Sequence, residues 1–221
     1  MNPQKIVYRD DLILIANKPY GIPVHETKDP ERLDFTRMIQ DELNLSYLRT
    51  ANRLDLNTTG IVVFGLDPEK NSEVDHLLMN STKFYLTLVQ GKFGQSEQRI
   101  ESFLKDGNKK VQTVRSGGKK AITIFRKLGY DPKRNISLLE AELITGRRHQ
   151  IRIHISESGH PIIGDKTYGA KAEYADRMYL HAWKIQFPKT DTRESLNLTS
   201  EPVGEIWQSF AKFWRNNADK S

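Results

Sequence analysis

Apolar runs separated by short polar stretches divide the first third of the chain into strand-like segments. The stretch IVYRDDLILIANKP indicates two short strands around an Arg9-Asp10-Asp11 turn, with Pro19 and Gly21 ending the second. Further along, IVVFGL has the length and β-branched residues of a buried strand. The preceding NRLDLNTTG is too polar for a core, so Asp55 is expected on the loop that enters this strand.

Alternation predicts another strand in KFYLTLVQG, where Phe84, Leu86 and Leu88 share one face and Tyr85 lies on the other. If the first face packs into the core, Tyr85 should face a cleft. After a polar basic stretch, AITIFRKL and ISLLEAELIT surround the turn-forming GYDPKRN, and this pattern predicts a long hairpin.

Helices are predicted from Pro30 to about Leu43, from an Asp67-Pro68 cap to about Asn80, and in the C-terminal GEIWQSFAKFWRNN. The stretch TGRRHQIRIHISESG gives conflicting signals, because its isoleucines alternate with polar residues as in a strand. A possible N-cap region at Thr145-Gly146 and a terminating Gly159 favour a helix, which is our prediction.

These elements predict an α+β fold: one domain over residues 1–221, with a largely antiparallel mixed sheet flanked by helices. No internal repeat, low-complexity segment or Pro/Ser-rich linker divides the chain.

With 37% hydrophobic and 28% charged residues, the protein is expected to be soluble. Cysteine is absent, which excludes disulfides, thiolate nucleophiles and Cys-ligated zinc. No signal peptide and no membrane-spanning run is recognised, so a cytoplasmic location is expected.

The 34 basic and 28 acidic residues give a net charge of +6, which favours a polyanionic partner. The basic residues cluster between Lys105 and Lys120 and at Arg147, Arg148 and Arg152. On a helix, Arg148 and Arg152 would share a side, and a phosphate or carboxylate could bind between them near a helix N-terminus at Gly146. The alternative is a solvated basic face.

Asp55 has three interpretations: a turn residue that caps its own backbone, a surface ion-pair partner of Arg53, or a nucleophile or general base in a cleft. The spacing of His149, His154 and His160 does not fit a metal site. Lys18 could bind phosphate, although NKPYG lacks the P-loop pattern GxxxxGK[ST].

Taken together, six ordered segments resemble the RluA-type pseudouridine synthases. NRLDLNTTGIVVFG resembles the family motif HRLDxxTSG, KFYLTLVQG its K-x-Y-x-x-x-V-x-G strand, and TGRRHQIRIHISESGHPIIGDKTYG its GRxHQIRxHxxxxGHPIxGDxxYG signature. NKPYGIPVH, GGKKAITIFRKL and YLHAWKIQF also occur in the family order, so the resemblance covers about residues 6–200.

The resemblance implies a pseudouridine synthase fold with an active-site cleft across the sheet. It implies that Asp55 is the catalytic aspartate, Tyr85 the tyrosine that contacts the target base, and Arg152 the arginine that pairs with the aspartate. Arg53 matches an arginine that holds the flipped-out nucleotide. The further candidates for RNA contact are Lys18, Thr58, Arg147, Arg148, His149 and Gln150. Two positions depart from the family pattern: Asn52 replaces histidine, and Thr59 replaces serine.

The implied reaction isomerises a uridine in ribosomal or transfer RNA to pseudouridine after base flipping. It needs no cofactor and no metal. RNA is the expected partner, and we expect a monomer without a separate N-terminal RNA-binding domain, an obligate protein partner or a membrane association. The alternative is an inactive RNA-binding paralogue of the same fold.

Overall fold

The apolar runs form strands as their patterns predict, and most of them belong to a mixed, largely antiparallel sheet. The computed structural model describes residues 6–26, 29, 31–108, 110–171, 177–191 and 193–218. The strands are β1 (Ile6–Arg9), β2 (Ile13–Lys18), β3 (Arg49–Thr50), β4 (Thr59–Gly65), β5 (Thr82–Gln90), β6 (Glu97–Asp106), β7 (Val111–Val114), β8 (Lys119–Asp131), β9 (Ile136–Leu143), β10 (Leu180–Phe187) and β11 (Leu196–Thr199).

Short helices connect these strands. They are α1 (Phe35–Glu42), α2 (Asn71–Met79), α3 (Gln150–Glu157), α4 (Glu205–Ser209) and α5 (Ala211–Ala218), with 3₁₀ turns at Pro68–Lys70 and Lys166–Tyr168. Within the described part of the chain, no helix has the length and apolarity needed to cross a membrane. The α+β class and the mixed, largely antiparallel sheet are therefore as predicted.

The chain divides into two compact units. The first contains the described residues up to Lys83 and His181–Glu201. Its strands lie in the order β1-β2-β4-β10, and β3 and β11 pair with β4 and β10. The pairing of β4 with β10 is parallel, whereas β2 pairs antiparallel with both β1 and β4. The core of this unit lies along β2, where Ile13, Leu14, Ile15 and Ala16 are fully buried.

The second unit contains Phe84–Leu180 and the described residues from Pro202 onward. Its strands lie in the order β5-β9-β8-β6-β7. Strands β8 and β9 form the long antiparallel hairpin expected around GYDPKRN. The basic stretch from Lys105 to Lys120, for which no element was predicted, includes the end of β6, all of β7 and the start of β8. The single-domain organisation stays a prediction.

Three helix boundaries differ from the sequence prediction. The first helix begins at Phe35, because the Asp34 carboxylate caps it by accepting from the backbone N–H of Arg37. The predicted starting residue, Pro30, lies outside the described residues. The C-terminal segment forms two helices that are interrupted at Phe210. Helix α3 also begins later than expected, and that shift affects the candidate site.

Candidate active site

The buried Lys18, at the end of β2, holds the loop that carries Asp55. Its Nζ donates to the carbonyls of Pro19 (3.0 Å), Ile22 (2.8 Å) and Leu56 (3.1 Å), and its side chain is completely buried. Burial lowers the pKa of the Lys18 ammonium to about 8, and the charge of the Asp55 carboxylate opposes part of this shift. We expected a phosphate contact for Lys18, but the structure gives its ammonium internal partners on this loop.

Asn52 fixes the beginning of the same loop against β4. Its Oδ1 accepts from the backbone N–H of Val63 at 2.7 Å, and its Nδ2 donates to the carbonyl of Ile61 at 3.4 Å. The turn closes where the N–H of Thr58 donates to the main-chain carbonyl of Asp55 at 3.0 Å. Asp55 therefore sits, half-buried, in a loop that is anchored at both ends.

The end of the loop is fixed by a buried histidine. His181 Nε2 donates to the carbonyl of Ser200 at 2.7 Å, and Nδ1 is hydrogen-bonded to the Thr59 hydroxyl at 2.7 Å. The next residue, Gly60, has φ +109°, and a Cβ there would overlap the carbonyl of Ala182. The close approach of β4 to β10 thus requires glycine immediately after this threonine.

The other two candidates in this unit differ in exposure. Arg53 is exposed, as a residue that contacts RNA must be, whereas Thr58 is 2% exposed and forms part of the loop's interior. An RNA contact by Arg53 stays a prediction. The expected RNA contact of Thr58 also stays a prediction, and its side chain is buried in this structure.

In the second unit, α3 begins at Gln150, not near Gly146. The residue before the helix, His149, adopts a left-handed conformation with φ +52°. The Gln150 amide uses its full hydrogen-bonding capacity: Oε1 accepts from the Thr145 hydroxyl and the Arg147 N–H, and Nε2 donates to the Ile122 carbonyl and the Thr123 hydroxyl. These bonds join α3 to β8. Gln150 is only 2% exposed, although we expected it to contact RNA.

The predicted anion site between Arg148 and Arg152 is wrong, because Arg148 precedes the helix. Arg147 and Arg148 are both exposed. Arg147 Nε donates to the carbonyl of Lys120 at 3.1 Å, and Arg148 lies 3.4 Å from the exposed Asp106 carboxylate. Arg152 instead lies on the buried helix and donates to Asp165. The exposed pair remains available to a polyanion.

Asp165 and Tyr168 are the side chains in this region that the sequence reasoning missed. Asp165 accepts from Arg152 Nε at 2.7 Å and from Nη2 at 2.9 Å, and the guanidinium lies over the Tyr168 ring. The Tyr168 hydroxyl is 3.0 Å from His149 Nδ1, so four side chains form one cluster. A signal was present, since both missed residues are fixed positions of the GDxxYG end of the family signature.

Tyr85 lies on β5 of the same unit and is 8% exposed. The neighbouring Phe84 and Leu86 are buried as well, so both faces of the strand are covered at this point. Whether Tyr85 faces a cleft, as the alternation predicts, therefore stays a prediction. Contact of Tyr85 with a base stays a prediction.

The three histidines that raised the question of a metal have separate partners. His154 lies between the hydroxyls of Ser102 and Thr123, at 2.9 Å from each, and burial lowers the pKa of its imidazole to about 4. His160 Nδ1 is 3.0 Å from the carbonyl of Gln90, and His149 contacts Tyr168. Among the described residues, no three His, Asp or Glu side chains are grouped to hold a metal ion.

Comparisons with known proteins agree with the motifs. The family model described as RNA pseudouridylate synthase matches residues 12–157. The mitochondrial tRNA pseudouridine(32) synthase of Saccharomyces cerevisiae is 34% identical over 174 residues, which cover 75% of this chain and 37% of the yeast protein. Ribosomal large subunit pseudouridine synthase C of Vibrio vulnificus is 31% identical over 215 residues, which cover 90% of this chain and 66% of that protein.

The chain thus spans less than two thirds of the length of either relative. The fold is also found in the solved structure of human RNA pseudouridylate synthase domain containing 4. That structure has a TM-score of 0.76 at 22% identity, and the match covers 96% of this chain and 94% of the human chain. The family model spans more than half of the chain and includes the Asp55 loop, the Tyr85 strand and helix α3. The chain therefore belongs to the RNA pseudouridylate synthase family.

Proposed function

We propose that the protein is an RNA pseudouridine synthase that converts uridine to pseudouridine in structured RNA, either ribosomal or transfer RNA. The observation that carries this proposal is the family match over residues 12–157, which includes the anchored loop bearing Asp55. The names of the yeast and Vibrio relatives support transfer and ribosomal RNA as the two substrate classes to test.

In the proposed reaction, the bond between N1 of uracil and C1′ of ribose breaks and a bond between C5 and C1′ forms. The hydrogen on C5 leaves as a proton and N1 gains a proton, so the product is an isomer and no electrons are exchanged. Because a stacked nucleotide hides its sugar, the uridine first flips out of the stack, at a cost of a few kcal/mol.

Asp55, Tyr85 and Arg152 are the proposed catalytic residues, assigned by their positions in the family motifs. The Asp55 carboxylate acts at the ribose, and Arg152 is the arginine that the family motif assigns as its partner. Tyr85 stacks on the uracil and takes part in proton transfer at C5. The exposed Arg53, Arg147 and Arg148 contact the RNA. Action as a monomer in the cytoplasm completes the proposal; light scattering tests the oligomeric state, and cell fractionation tests the location.

The test uses RNA that carries tritium at uracil C5, because each isomerisation releases that label to water. Purified wild-type protein is incubated with ribosomal and transfer RNA transcripts, and the released tritium is counted. Asp55→Asn keeps the shape of the side chain but removes its charge, so we expect release to fall at least about 100-fold while RNA affinity changes little.

Asp41→Asn is the matched control, because this carboxylate is exposed on α1 and pairs weakly with Arg37. The control should release tritium at the wild-type rate. Activity of Asp55→Asn within tenfold of wild type would contradict the catalytic assignment. A wild-type protein that binds both RNAs but releases no tritium would favour the inactive RNA-binding paralogue.

A further inference from the structure

Arg152 is held in place by a carboxylate that is outside the proposed catalytic set. Asp165 accepts from Nε and Nη2 of the guanidinium, at 2.7 and 2.9 Å, in the two-pronged geometry typical of the strongest arginine–carboxylate pairs. The two side chains are only 10% and 1% exposed. A buried pair of this kind fixes the position and rotation of the guanidinium plane far better than an exposed ion pair does.

The face of the same guanidinium rests on an aromatic ring. The Arg152 carbon Cζ lies 5.1 Å from the centroid of the Tyr168 ring, within cation–π distance. The ring is itself fixed, because its hydroxyl accepts from the backbone N–H of Val111 at 2.9 Å and lies 3.0 Å from His149 Nδ1. Arg152 is thus restrained along one edge by Asp165 and on one face by Tyr168.

Asp165 and Tyr168 both lie in the segment 161–168, and this segment is hydrogen-bonded to β5, the strand that carries Tyr85. The N–H of Gln90 donates to the carbonyl of Pro161, and the N–H of Ile163 donates to the carbonyl of Leu88. The residue before Asp165 is Gly164, with φ +77°, where a Cβ would overlap the carbonyl of Arg177. The backbone therefore sets the place of the Asp165 carboxylate relative to the strand of Tyr85.

We propose that Asp165 is a positioning residue for the uridine isomerisation, acting by orienting the Arg152 guanidinium. This inference rests on the proposed function. A guanidinium is planar and its five N–H donors have fixed directions, so the two hydrogen bonds to Asp165 on one side set the directions of the other donors. Orientation matters because a misplacement of about 1 Å can cost about 100-fold in rate.

The test compares Asp165→Asn with wild type in single-turnover tritium release and in RNA binding. The amide cannot accept from both guanidinium nitrogens, so we expect the rate of the chemical step to fall at least about 50-fold while the Kd for RNA stays within threefold. Asp75→Asn is the matched control, because this exposed carboxylate pairs with Arg49, outside the proposed catalytic and RNA-binding residues, and should leave the rate unchanged.

A double-variant comparison separates positioning from a general structural role. In an Arg152→Lys background, Asp165→Asn should lower the rate less than threefold further, because the oriented group has already been removed.

¹⁵N NMR gives a readout independent of activity. The Nε–H signal of Arg152 is identified by its disappearance in Arg152→Lys. It should be protected from hydrogen exchange in wild type and unprotected in Asp165→Asn. An additive loss in the double variant, or unchanged protection, would overturn the inference.

If Asp165→Asn does not fold, Asp165→Glu decides the question. It keeps the charge but displaces the carboxylate by one methylene, so we expect a folded protein that binds RNA normally and reacts at least about tenfold more slowly. A fully active Asp165→Glu overturns the inference. Failure of the proposed function is distinguishable, because in that case wild-type protein itself releases no tritium.

Discussion

Two residues that depart from the family pattern preserve the hydrogen bonds that their loop needs. Asn52 uses its amide to bond Val63 and Ile61 of β4, a contact that needs a donor and an acceptor but no imidazole charge. Thr59 uses its hydroxyl to bond His181, which a serine hydroxyl could do equally well. The support of the Asp55 loop therefore does not depend on the residues usual at these positions.

Tyr85 can be divided experimentally into a ring and a hydroxyl. Tyr85→Phe keeps the stacking surface and removes only the hydroxyl, so we expect near-normal RNA affinity and turnover slower by about 100-fold, the usual size of a general acid–base contribution. Tyr85→Ala should lose both. Filter binding and tritium release measure the two properties, and Tyr130→Phe, on a hairpin strand, is the control. A fully active phenylalanine variant would limit Tyr85 to stacking.

His154 should make stability depend on pH in weakly acidic solution. Burial lowers the pKa of its imidazole to about 4, whereas in the unfolded chain the usual value is 6.5. Between these two values the unfolded state binds a proton that the folded state does not, so stability falls as pH decreases from 6.5 towards 4. The slope contributed by this group is at most about 1.4 kcal/mol per pH unit.

Urea unfolding at pH 7, 6 and 5 measures this effect. His154→Gln should have a shallower pH dependence than wild type, because its side chain does not titrate. His76→Gln, at an exposed position on α2, is the control, and the pH dependence should be shallower in His154→Gln than in this control. Equal slopes for wild type and His154→Gln would contradict the prediction.

Among the elements, the strands were the most predictable and α3 the least. Alternation and β-branched runs identified β2, β4, β5, β8 and β9, because these patterns depend only on neighbouring residues. In α3, the six residues from Gln150 to Ile155 are all buried. A helix buried on every side has no polar face, so its isoleucines could alternate with Gln150, Arg152 and His154 as they would in a strand.

The start of α3 could not be predicted because its supposed cap has tertiary partners. The Thr145 hydroxyl accepts from the N–H of Ile122 on β8 and donates to Gln150, so it does not cap a helix at Gly146. The start of α1 was predictable in principle, since Asp34 precedes the first helical residue as a good N-cap does. Local sequence signals therefore locate a helix end only where no distant element takes up the hydrogen bonds of the capping residue.

The approach of β4 to β10 gives a prediction for Gly60. An alanine at position 60 would have to adopt φ +109°, and its Cβ would overlap the Ala182 carbonyl unless the backbone shifts. We therefore expect Gly60→Ala to lower the free energy of unfolding by at least about 3 kcal/mol. Chemical denaturation measures the loss. Gly146→Ala is the control, because a Cβ there meets no atom within 4 Å. A Gly60→Ala variant as stable as wild type would contradict this account of the strand pairing.

For the molecule as a whole, motif order was a better guide to the site than chemistry at any single residue. Asp55 alone fits a turn residue equally well, and six segments in order made the family recognisable. The ion pair of Arg152 with Asp165 was not predictable from spacing, because the two residues are 13 positions apart and meet only once α3 packs against the following loop. The internal hydrogen-bond partners of the buried Lys18 and Gln150 were likewise not predictable from spacing.

The positive charge of the whole protein leads to a prediction about the salt dependence of RNA binding. The protein has a net charge of +6, and exposed basic side chains cluster between the end of β6 and the start of β8 and at Arg147 and Arg148. Those in the first group are Lys105, Lys110, Arg115, Lys119 and Lys120. If these residues bind RNA phosphates, counterion release makes the logarithm of affinity fall linearly with the logarithm of salt concentration. Neutralising Lys105, Lys119 and Arg147 to glutamine should weaken binding at low salt and reduce the slope by about one for each lost contact.

A second triple variant separates local contacts from net charge. Lys70, Lys133 and Lys212 are also exposed, and changing them to glutamine lowers the net charge from +6 to +3, as the first variant does. Long-range attraction falls equally in both proteins, so only direct phosphate contacts can make their salt slopes differ. We expect the second variant to keep the wild-type slope between 50 and 200 mM salt. Equal slopes for the two variants, or a flat dependence in wild type, would show that the basic cluster is a solvated surface.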